Sequence, residues 1–160
     1  MRFILIDRIL EVKRNKNITA IKNVTLSDDL FIDHFPGNPI YPGALVLESL
    51  CQTGGALIEI SYDFQCKAIV FMIENAKYRE YIRPGDQVIL KAEIISTKEN
   101  YVRVKARALV GDSTRVSAML VFTLVNMNDF CDERLRFLSE ILYEMWLEGR
   151  SGSKKEKKES

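Results

Sequence analysis

The run from Asp33 to Leu57, DHFPGNPIYPGALVLESLCQTGGAL, limits what this chain can fold into more than any other stretch. Pro36, Gly37, Asn38, Pro39, Pro42 and Gly43 cannot share one regular element, because proline fixes φ and lacks a donor while glycine admits positive φ. They predict a tight, conformationally specified loop, and that loop carries the only histidine, His34. From Ala44 onward the residues are apolar on nearly every side of a helix, so the helix is expected to be buried all round, with Pro42 in its first turn. Glu48 is out of place there. An isolated buried carboxylate needs a partner, a proton or a task. Ala44, Glu48, Gln52 and Gly55 fall at i, i+4, i+8 and i+11, one small or polar stripe suited to lining a narrow cavity.

At 160 residues and 47% hydrophobic, the chain has the size of one domain with a sizeable core. A net charge of +1 excludes nucleic-acid binding by bulk electrostatics and leaves only a local basic patch to meet an acidic partner. Cys51, Cys66 and Cys131 are odd in number and unevenly spaced, which suits neither a disulfide framework nor a zinc site. The apolar N-terminus is broken by Asp7, Arg8 and Glu11 before it reaches signal-peptide or membrane-span length. A soluble cytoplasmic protein without metal is the expectation.

Before the loop, Phe3 to Val12 reads as a strand, with a short helix around Asp7 to Leu10 as the alternative, and Ile18 to Leu26 as a second strand. After the helix, Ala68 to Tyr78 is rich in Ile, Val, Phe and Met, and Pro84-Gly85-Asp86 makes a turn. Val88, Leu90, Ala92 and Ile94 then face one way. Val102, Val104, Ala106 and Ala108 alternate with Arg103, Lys105 and Arg107, and Val116, Ala118, Leu120, Phe122 and Leu124 form the last apolar face. Four successive strands thus follow one apolar helix, an α+β pattern in which a long antiparallel sheet covers the helix by curling round it. Leu135, Leu138, Leu142 and Met145 recur at 3-4-3 spacing, with Asp132 and Glu133 at the start and Gly149 as the stop of an amphipathic helix. Three parts follow: 1–126, a helical extension over 127–149, and a low-complexity tail over 150–160 expected to be disordered.

HFPGNPIYPGALVLESLCQ, together with FILIDRIL and IKNV near the start, resembles the 3-hydroxyacyl-[acyl-carrier-protein] dehydratases of the FabZ type. The resemblance covers roughly residues 1–126 and implies the hotdog fold. It also implies that His34 and Glu48, fourteen positions apart, are the catalytic pair that makes a trans-2-enoyl chain from a (3R)-3-hydroxyacyl one. A sister branch that also isomerises its product carries Asp on the helix, so Glu48 favours the simple dehydratase. The resemblance further implies that the Gly43 backbone N–H polarises the thioester carbonyl and that Phe35 helps to place the acyl group. Lys77, Arg79 and Arg83 would meet the acyl carrier protein. The pair would be completed across a homodimer, alone or as a unit of a trimer of dimers, and no cofactor is needed beyond the phosphopantetheine arm that carries the substrate. Three positions depart from the family pattern: Asp33 in place of Gly, Ala44 in place of a larger aliphatic residue, and Tyr81 in place of Pro.

The chemistry suits these residue types. Elimination needs a base for the C2 proton and an acid for the C3 hydroxyl on one cavity, and histidine and a walled-in carboxyl serve those needs. Gln52, one turn beyond Glu48, is expected to hold its carboxyl. Cys51, inside the apolar helix with no base beside it, is expected to be inert packing. A hotdog thioesterase and a silent acyl-carrier-binding partner subunit are the alternatives.

Overall fold

The computed structural model describes residues 3–148, without the side chains at positions 134, 135, 138 and 148. Strands β1 (Arg8–Lys13) and β2 (Asn17–Asn23) come first, and a 3-10 turn (Asp29–Ile32) leads to the histidine loop. Helix α1 (Gly43–Ser61) follows, then β3 (Cys66–Tyr78), β4 (Gln87–Lys98), β5 (Tyr101–Val110) and β6 (Ser113–Asn126), and finally α2 (Met127–Phe130) and α3 (Glu133–Glu148). One six-stranded antiparallel sheet has the order β1-β2-β4-β5-β6-β3. The chain therefore crosses the whole sheet through α1 to lay β3 on the far edge.

Period-2 alternation decides the central strands. Val88, Leu90, Ala92, Val102, Val104, Ala106, Ala108, Val116, Ala118, Leu120 and Phe122 are all buried, as the spacing predicts, and they face α1, which packs against β2 through β6. Along α1, Leu50, Ala56, Leu57 and Ile58 are fully enclosed. Gly54 permits a close approach to the sheet: a Cβ there would stand 3.0 Å from the Phe122 ring. The helix is not apolar all round in effect, since Ala44 is exposed and Glu48 only half-buried.

Four sequence expectations need correction. Strand structure begins at Arg8 rather than Phe3: Leu5 and Ile6 are buried, but the Leu5 N–H is taken by the Gln52 side chain at 3.0 Å instead of a ladder. The second strand ends at Asn23, and Leu26 is 66% exposed. The short α2 was not foreseen; Asn126 caps it by accepting the Asn128 N–H at 2.9 Å. Among the described side chains of α3, Tyr143 and Trp146 are buried and Leu142 packs against the core as the stripe predicts, whereas Met145 is 64% exposed and does not belong to the packed face. The side chains of Leu135 and Leu138, the stop at Gly149 and the tail from Ser151 to Ser160 lie outside the described residues. No described helix is long and apolar enough to cross a membrane.

Candidate active site

Each half of the predicted pair is held by its own local structure. The 3-10 turn buries Phe31 and delivers His34, whose N–H donates to Leu30 O at 3.1 Å. Gly37, at φ +76°, turns the loop back so that the Asn38 N–H reaches Phe35 O at 2.9 Å. Arg83 Nη1 donates to Asn38 Oδ1 at 2.8 Å and the Tyr41 N–H to Ile82 O at 2.8 Å, pinning the loop to the segment before the Pro84-Gly85-Asp86 turn. The imidazole is fixed from behind, with Nδ1 2.9 Å from Ile40 O. A carbonyl oxygen only accepts, so Nδ1 carries the proton, and in the neutral ring Nε2 keeps its lone pair.

His34 borders a cavity of about 240 Å³ with Gly43, Tyr78 and Val116. Gly43 opens α1, where the first N–H groups have no acceptor within the helix and the positive dipole end gathers. Tyr78 covers this point so closely that a Cβ on Gly43 would lie 2.9 Å from its ring. Any side chain there would collide. The Phe35 N–H donates to Asn38 O at a long 3.4 Å, and the Phe35 ring is exposed beside that of His34, 4.1 Å away between centroids.

Glu48 stands on the next turn of α1 and accepts from Gln52 Nε2 at 3.1 Å. The Gln52 amide is itself fully oriented, because its oxygen accepts the Leu5 N–H at 3.0 Å and its nitrogen also donates to Phe3 O at 3.2 Å. Glu48, Gln52 and Gly55 line a second cavity, a groove of about 350 Å³; Ala44, the fourth member of the predicted stripe, does not. Within one chain, then, His34 and Glu48 line different cavities. Cys51 also lines this groove, and burial, with the Glu48 charge second, pushes its thiol up to about 12, so it is no nucleophile at neutral pH.

Lys77, Arg79 and Arg83 are all exposed near the His34 cavity's Tyr78 and Tyr81. Arg79 donates to Ser117 Oγ at 2.9 Å, and Arg83 is engaged with Asn38.

One acid escaped the sequence reading. Glu59, not Glu48, is the fully buried carboxylate of α1, at 1% exposure. Tyr143 Oη of α3 donates to its Oε2 at 2.6 Å, Lys67 Nζ of β3 lies 3.0 Å from Oε1, and the Ala68 N–H donates to Oε1 at 3.2 Å. The signal was available in Ile58-Glu59-Ile60, a charge inside an apolar run like the one around Glu48.

The family model described as a FabA-like domain matches residues 1–119. A 3-hydroxyacyl-[acyl-carrier-protein] dehydratase FabZ of Symbiobacterium thermophilum is 38% identical over 125 residues, covering 78% of this chain and 88% of that protein. Another protein of that name, from Koribacter versatilis, is 43% identical over 76% of this chain and 80% of its own length. A hot-dog-like protein from Thermanaerovibrio acidaminovorans superimposes with a TM-score of 0.61 at 14% identity, over 89% of this chain and 96% of that one. The sheet with its helices is therefore a hotdog fold. With the HFPG loop, the helix that Gly43 opens and Glu48 on its second turn, this chain belongs to the FabA-like family of hotdog proteins.

Proposed function

We propose that this chain removes water from a (3R)-3-hydroxyacyl group carried on acyl carrier protein, leaving the trans-2-enoyl thioester for fatty-acid synthesis. The observation that carries this reading is the hydrogen bond from His34 Nδ1 to Ile40 O, which leaves Nε2 as the basic nitrogen in a cavity that also holds the start of α1. Relatives at 38 to 43% identity bear the dehydratase name over most of their length.

In this mechanism His34 Nε2 takes the C2 proton, and the negative charge that develops on the thioester oxygen is met by the Gly43 N–H at the helix end. Glu48, held by Gln52, gives a proton to the C3 hydroxyl. The C3–O bond breaks, the C2–C3 double bond forms, and water leaves. The phosphopantetheine arm carries the acyl group and no further cofactor takes part. Lys77, with no ion pair among the described residues, Arg79 and Arg83 form the basic rim toward the acidic carrier protein, and Phe35, which lines the His34 cavity, helps to place the acyl group.

Because the two catalytic side chains border separate cavities of one chain, the working site joins His34 of one copy with Glu48 of another. The homodimer would form along β3, which closes the sheet on one side only and exposes Phe71 (60%), Met72 and Ile73. An unpaired apolar edge is a site for strand-to-strand pairing.

Mass spectrometry of a 3-hydroxyacyl carrier protein after incubation tests the reaction. Loss of one water with the thioester intact is expected. Free acid would mark a thioesterase, and binding without turnover would mark a silent partner subunit.

A further inference from the structure

Helix α1 carries two carboxylates on one face, and the proposed mechanism uses only Glu48. Glu48, Gln52, Gly55 and Glu59 stand at i, i+4, i+7 and i+11, and all four line the same groove. Eleven residues at the helical rise separate its two ends by about 16 Å. The wall between them is mainly apolar, with Ala68 and Val70 of β3 and Phe122 of β6 among its lining. A Cβ on Gly55 would touch both Phe122 and Ala68, at 3.8 and 3.9 Å, so the missing side chain preserves the width of the groove.

At the Glu59 end the groove is lined by Ser139, Leu142, Tyr143 and Trp146 of α3, which lies beyond the residues matched by the family model. Tyr143 and Trp146 are buried there edge to face, with ring centroids 5.2 Å apart. Glu59 is satisfied by Tyr143, Lys67 and the Ala68 N–H, and so presents no unpaired charge to whatever fills the groove. Burial and the Glu59 charge hold the Tyr143 hydroxyl proton well above its ordinary range, so it remains a donor.

We propose that α3 is the floor of the substrate's acyl groove, with the hydrocarbon tail entering beside Glu48 and stopping against Trp146 and the Tyr143–Glu59 pair. The floor thereby sets the longest chain the enzyme accepts. This inference rests on the dehydratase reading for its occupant. Continuity of the groove with Glu48 and its apolar walls select an alkyl tail over a polar ligand. With about 1.25 Å per methylene from ordinary C–C geometry, about 16 Å takes on the order of a dozen carbons.

Trp146 is the only tryptophan in the chain, so its fluorescence reports on the floor alone. Saturated acyl-pantetheine thioesters from butyryl to palmitoyl lack the 3-hydroxyl and bind without being dehydrated. The expected result is no spectral change with butyryl and a clear change once the tail approaches a dozen carbons. A response that is absent, or equal for all lengths, overturns the proposal. On a ladder of 3-hydroxyacyl carrier proteins, Trp146→Ala should raise the long-to-short kcat/KM ratio by about tenfold, while Trp146→Phe keeps the wild-type ratio. An unchanged ratio in folded Trp146→Ala also overturns it. Failure of the wild-type chain to dehydrate any member would sink the function instead, and the fluorescence ladder would still decide the floor.

Discussion

Gln52 donates to Glu48 Oε1 at 3.1 Å while its own oxygen accepts the Leu5 N–H at 3.0 Å, so a single amide ties the helix carboxylate to the N-terminal segment. Gln52→Ala removes both restraints at once. The orphaned Leu5 N–H should lower stability by about 1–3 kcal/mol. The freed Glu48 carboxyl should lower kcat by about tenfold with little change in KM, since positioning and not binding is lost. Denaturant melts and steady-state kinetics read the two effects separately.

His34→Ala and Glu48→Gln should each reduce kcat by about 100- to 10,000-fold, the usual contribution of a positioned acid or base. Neither side chain is in the buried core, so circular dichroism should show the wild-type fold. A folded variant at the wild-type rate would remove that residue from the mechanism.

The central strands and α1 were legible in the sequence because each buries one defined face or almost all of itself. Val102, Val104, Ala106 and Ala108 announce their strand by alternation alone. Leu5 and Ile6 were read as strand because apolarity reports burial and not backbone state; their segment is held by a side chain forty-seven residues on. The His34 loop was legible as a loop from its prolines and glycines, yet the Ile40 carbonyl that orients the imidazole has no signature in residue type. Glu59 was missed for a related reason. Its partners lie eight, nine and eighty-four positions away, and the last of them sits on α3, outside any local pattern that residue spacing on α1 could show.

Lys67→Met should cost on the order of 3 kcal/mol, because it strips the main counter-charge from a carboxylate that is 1% exposed. Adding Glu59→Leu and Tyr143→Phe removes the stranded charge and its donor together, and should recover most of that loss. Thermal melts of the single and triple variants check the order.

The Cys51 thiol is raised from 9.0 to about 12, chiefly by burial. The unfolded chain releases this proton near pH 9 while the folded chain keeps it, so the unfolded state binds fewer protons and stability falls as pH rises from about 9 to about 12. Below pH 9 this group contributes no pH dependence. Urea melts across that range should show a slope that Cys51→Ala reduces. At pH 8 a thiol reagent should label the half-buried Cys131 well before Cys51 or Cys66.

A mixed dimer gives the most direct test that the working site spans two subunits. One subunit carries His34→Ala and the other Glu48→Gln, each with its own affinity tag so that only the mixed species is purified. Pairing across the subunits leaves one of the two sites with both its histidine and its glutamate, so about half of wild-type dehydratase activity should return from two inactive parents. Activity no higher than that of either parent dimer would contradict the account.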